Sequence, residues 1–76
     1  MNNNRRKELD KLIYKIEEII QDVAMYEEEE QDAFDNLPEG LQTADKGYKM
    51  EEAIDQLNEA NGCLDDAVNC LRTAQE

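Results

Sequence analysis

From Met50 the chain repeats every seven residues, as MEEAIDQ, LNEANGC, LDDAVNC and LRTAQE. Each unit opens on Met or Leu and carries alanine at its fourth position. Seven residues are close to two turns of α-helix, so a sustained seven-residue apolar pattern draws one stripe down a helix. Met50, Leu57, Leu64 and Leu71 form that stripe, Ala53, Ala60, Ala67 and Ala74 run beside it, and Ile54 and Val68 widen it. Small side chains in such a seam let a partner helix approach to the low end of the usual interaxial range, about 8 Å. The pattern predicts a second helix over about residues 48–75, with Leu57, Ala60, Leu64, Ala67 and Leu71 as a packing and self-association seam. Asn61-Gly62 is its weak point, because glycine inside a helix costs about 1 kcal/mol relative to alanine and Asn-Gly is a turn signal. The stripe keeps its register through that pair, which predicts a continuous helix, with a break there as the alternative.

The first half carries a helical pattern of its own. Apolar residues at 9, 12, 13, 16, 19, 20 and 23 alternate three-four spacings, and Tyr26, Ala33, Phe34 and Leu37 continue them less strictly. Asn4 is the expected N-cap, and Pro38 with Gly40 ends the helix, since proline disfavours helical geometry in the residue before it. The expectation is all-α: helix 1 over about 4–36, a loop over about 37–47, and helix 2 folded back antiparallel. In the connecting segment, taken from Ala33 to Tyr48 with the helix ends on either side, Phe34, Leu37 and Leu41 either plug the end of the apolar seam or belong to a recognition element with Lys46 and Tyr48.

Seventy-six residues make at most one domain, too small to bury a self-sufficient core with ease. The hairpin is therefore expected to self-associate into a helical bundle. Cys63 and Cys70, seven apart on one helix, are too far apart to bond to each other and read as reduced packing residues. That usage, the polar start of the chain and the lack of an apolar run of about 18 residues predict a cytoplasmic protein without a membrane span.

The net charge of −12 is unevenly spread. Residues 1–15 hold five basic and two acidic side chains, residues 16–45 hold eleven acids and no base, and residues 46–76 hold three basic and seven acidic. Direct binding of duplex nucleic acid is not expected, because phosphates would be repelled. A basic partner or simple solubility fits the acids. Glu27, Glu28, Glu29, Glu30, Asp32, Asp35 and Glu39 form the candidate partner-binding face. Helical carboxylates rising about 1.5 Å per residue approach the linear charge density of duplex DNA, one charge per about 1.7 Å, so the run reads as a nucleic-acid mimic or as a solvated helix end. Arg5 and Arg6, with Lys7, sit at the positive end of the helix 1 dipole and the Glu run near its negative end, against the usual preference. Two rods packed head to foot would cancel these charges. An alternative anion site would combine Arg5, Arg6, Lys46 and Tyr48, arginine gripping a phosphate and tyrosine supporting a base or sugar.

Catalytic residues are not expected. Histidine is absent, and no nucleophile is paired with a base. No metal or other cofactor is expected either, because a twelve-residue calcium loop and Glu-x-x-His pairs are missing and the cysteine spacing does not suit zinc.

The stretch Phe34-Asp35-Asn36-Leu37-Pro38-Glu39-Gly40-Leu41-Gln42, with Arg5-Arg6-Lys7 before it and Gly47, Met50-Glu51-Glu52-Ala53-Ile54-Asp55 and the Leu/Ala heptads after it, resembles a family of small acidic helical proteins encoded by phages and prophages. The Asp-Asn-Leu-Pro-Glu loop is the distinctive part. The resemblance covers nearly the whole chain and implies a viral or mobile-element setting, in which small stoichiometric proteins block host defence; it transfers no functional residue. Three functions remain open at this level: occlusion of a basic nucleic-acid-handling host protein by the acidic face, sequestration of a nucleotide immune signal by an oligomer, or structural help in assembly.

Overall fold

The computed structural model describes all residues from Met1 to Glu76. It contains α1 (Asn3–Asp35), the single turn α2 (Glu39–Gln42) and α3 (Asp45–Thr73). Helix α1 begins at Asn3, one residue before the expected cap; Asn2 holds extended geometry and its Oδ1 accepts from the Arg5 N–H at 2.7 Å. That bond satisfies one of the free N–H groups of the first turn. At the other end the Asn36 N–H returns to the Asp32 carbonyl at 3.1 Å.

The connection is more helical than the sequence suggests. Gly40 lies inside α2 with no left-handed backbone, and α3 starts at Asp45, so Lys46 and Tyr48 are on a helix and not in a loop. Gln42 explains the tight corner, because its Nε2 donates to the carbonyls of Phe34 and Leu37, both at 3.2 Å. Phe34 and Leu37 are half-buried and Leu41 is 44% exposed, so two of the three predicted plug residues close the seam. Gly47 is buried where the corner meets α3, and a Cβ there would overlap the backbone carbonyl of Gln42. Glycine is required by that close approach.

Helices α1 and α3 pair antiparallel in a rod whose Cα envelope measures 58 × 15 × 11 Å. Helix α3 runs unbroken through Asn61-Gly62, and Gly62 faces open space. The inner residues of α3 are Met50, Ile54, Leu57, Asn61, Leu64, Val68 and Leu71, spaced four-three throughout. Those of α1 are Leu9, Ile13, Ile16, Ile20, Val23, Glu27, Glu30, Phe34 and Leu37, in the same rhythm. This is a two-stranded heptad seam. As a seam against helix 1 the expectation holds for Leu57, Leu64 and Leu71, whereas Ala60 and Ala67, with Ala53 and Ala74, are exposed beside it. Ile13 and Val68 alone among the large apolar residues are buried, at 5% and 4% exposure. Full burial of one such side chain contributes about 1.5–3 kcal/mol, while each ordered residue costs about 1–2 kcal/mol of backbone entropy. The core within one chain is thin.

Candidate binding surfaces

Three surfaces carry the predicted residues, and the fold treats them differently. In the acidic head, Glu28, Glu29, Asp32 and Asp35 point away from α3 and are exposed, as is Glu39 in the first turn of α2. Glu27 and Glu30 turn inward to the seam. The Glu27 Oε1 accepts from the Asn58 Nδ2 at 3.3 Å. Glu30 lines an open cleft of about 460 Å³ together with Lys46, Lys49, Met50 and Ala53. The seven-acid face is thus divided into an outward set and two residues facing the partner helix. The only salt bridges are Lys11–Glu8 and Arg72–Glu17, so none of the outward head acids is paired. Asp35 accepts one neutral bond, from Gln31 at 3.0 Å.

The basic foot is partly committed to the fold. Arg6 Nε donates to the Gln75 carbonyl at 2.9 Å and Nη1 to the Asn3 side chain at 3.3 Å, tying the C-terminal turn to the start of α1. Arg5 is exposed. Lys46 and Tyr48 lie at the opposite end of the rod, so one chain does not bring the four residues of the alternative anion site together. No group of three His, Cys, Asp or Glu side chains is placed to hold a metal ion, and no helix is long and apolar enough to cross a membrane.

The third surface holds Ala60 and Ala67 of the predicted self-association seam beside α1 residues that were not predicted to join them. Arg72 reaches Glu17 at 3.3 Å, Gln75 reaches Asp10 at 2.9 Å and Asn58 reaches Glu27, so these contacts define one flank of the rod, and it is polar. On the opposite flank α1 presents Leu12, Ile19, Tyr26 and Ala33, seven apart, and α3 presents Ala74, Ala67, Ala60 and Ala53. Leu12, Ile19 and Tyr26 are 46, 49 and 56% exposed. The register set by Arg72 on Glu17 and Asn61 on Ile20 puts Leu12 level with Ala74, Ile19 with Ala67 and Tyr26 with Ala60. The seven-residue spacing on α1 was the available signal; it was hidden because Leu12 and Ile19 read as the edge of one wide inner face.

Comparison with known proteins finds no family model, no characterised relative and no solved structure that the chain matches.

Proposed function

We propose that this protein is a non-catalytic, stoichiometric binder of phage counter-defence or host-takeover type, whose acidic head occludes a basic, nucleic-acid-handling surface of a host protein. The observation that carries the reading is the set Glu28, Glu29, Asp32 and Asp35, exposed together on the outer side of α1 and matched by no cation of the chain. Glu28, Asp32 and Asp35 follow one another at four and three residues, so their Cβ atoms stand roughly 5–6 Å from one to the next along one face. A rigid row of negative charge on a helix offers a basic groove what a phosphate backbone offers it. Glu27 and Glu30 serve the hairpin. A second copy of the chain belongs to the same reading, because it supplies the core that the single hairpin lacks.

The test separates outer from inner acids. Replacing Glu28, Glu29, Asp32 and Asp35 by their amides is expected to leave helicity unchanged and to abolish capture of the target from host lysate. The captured protein is then assayed for nucleic-acid binding, which the wild type is expected to block and the amide variant to spare. The block should weaken with salt, as the Debye length falls from about 10 Å at 0.1 M to about 3 Å at 1 M. Equal inhibition by the amide variant would rule out the acidic head as the interface.

A further inference from the structure

We propose that the apolar flank is a dimer face, on which two copies lie side by side with their acidic heads at the same end and α1 of each over α3 of the other. This rests on the reading that the hairpin self-associates, and adds which surface does so and in what orientation.

Size complementarity carries the orientation. On this flank α1 offers large side chains, Leu12, Ile19 and Tyr26, and α3 offers the methyl groups of Ala74, Ala67 and Ala60 at the same levels. A two-fold axis along the rod turns one hairpin onto the other without changing level, so each large side chain of one copy meets an alanine of the second. The contact repeats on both sides of the axis, as a self-complementary two-fold interface requires. A two-fold across the rod, the head-to-foot packing suggested by charge, instead sets α1 on α1 and α3 on α3. Large residues would then hold one helix pair near 10 Å while alanines draw the other toward 8 Å, and the face would not close evenly.

Charge does not overturn this. Glu28, Asp32 and Asp35 face away from the flank, and across a four-helix bundle they are separated from their counterparts by on the order of 20 Å, about two helix diameters, against a Debye length of about 8 Å at physiological salt. Glu30, at the edge of the flank, shares its cleft with Lys46 and Lys49 of the same chain. On the rim Asp22 would stand level with Cys63 of the second copy, and Glu29 with Gln56, so neither carboxylate faces another. Head-to-foot packing would place Asp22 against Asp22. Overlap along the whole 58 × 15 Å envelope sets an upper bound on the order of 800 Å² per copy, about the standard size of a stable interface, of which the apolar stretch from Leu12 to Ala33 supplies roughly half.

Three measurements on the full chain decide the matter. Sedimentation equilibrium should show a dimer whose affinity rises with salt, as screening relieves the repulsion between like ends; head-to-foot packing would weaken instead. Ala67→Glu, exposed in the single hairpin, should raise the dimer Kd about 100-fold or more by burying carboxylates, with helicity retained at high protein concentration. Continued dimerisation at the wild-type Kd overturns the choice of face. Asp22→Cys treated with diamide should give a covalent dimer joined through the introduced thiol and Cys63, identified by peptide mass; within one hairpin these two positions lie on opposite edges and do not meet. A Cys63–Cys63 link in the wild type overturns the orientation in favour of head-to-foot. A wild-type monomer at every concentration and salt tested overturns self-association itself, while leaving the acidic head to be judged by its own inhibition assay.

Discussion

The two flanks of the hairpin are built from the same pair of helices and differ in what crosses between them. On one, Arg72 meets Glu17, Gln75 meets Asp10 and Asn58 meets Glu27. On the other no hydrogen bond joins α1 to α3, and leucine, isoleucine and tyrosine on one helix stand level with alanines on the other. Both buried large apolar residues, Ile13 and Val68, occupy the inner columns next to the polar flank. Long polar side chains roof that side of the seam, whereas alanine is too short to roof the other. Polar side chains can therefore bury apolar neighbours better than small apolar ones do, through their aliphatic stems.

The contrast breaks most readily at its buried side. Ile13→Ala is expected to cost about 3 kcal/mol, the usual range for such a truncation, while Ile19→Ala on the open flank should cost well under 1 kcal/mol in the monomer. Urea melts of both variants at a concentration below dimerisation check this, and equal losses would mean that the flanks are not distinct. Gly47→Ala comes next, at about 2–3 kcal/mol, because the added methyl meets backbone of Gln42 and not a side chain that can move aside. Its circular dichroism should remain helical while its melting temperature falls.

Asn61 sharpens the picture in the opposite direction. It sits in the seam, its Nδ2 donates to the Ile20 carbonyl at 3.2 Å, and its Oδ1 is buried without a partner. Asn61→Ile is expected to stabilise the hairpin by about 1–2 kcal/mol, because an unsatisfied buried acceptor is removed and apolar area gained. The same change should loosen specificity of pairing, since a seam asparagine fixes register, and the oligomer distribution in sedimentation should broaden. Smallest of all is Arg72→Gln. Arg72 and Glu17 are each about half exposed, so the loss should be about 0.5 kcal/mol, smaller in high salt, as measured by thermal melts at two ionic strengths.

Much of this molecule was legible beforehand. A period of seven in the second half and three-four spacing in the first determined two long helices, and a chain with one proline between them had to fold back to cover either. This information is local, because it depends only on which side chains fall on one face of a helix. The acid run was equally plain, and Glu27 and Glu30 face inward because they continue the four-three column of Leu9, Ile13, Ile16, Ile20 and Val23 that ends on Phe34 and Leu37.

The decision left to tertiary structure was which of two overlapping stripes on α3 would meet α1. Leu57, Leu64 and Leu71 combine at three-four spacing with Ile54, Asn61 and Val68, and equally well with Ala53, Ala60, Ala67 and Ala74. Periodicity does not separate the two. Burial does, because isoleucine and valine remove more apolar area from water than alanine, at about 25 cal/mol per Å². The seam takes the larger side chains, accepts Asn61 through its bond to the Ile20 carbonyl, and leaves the alanines facing outward.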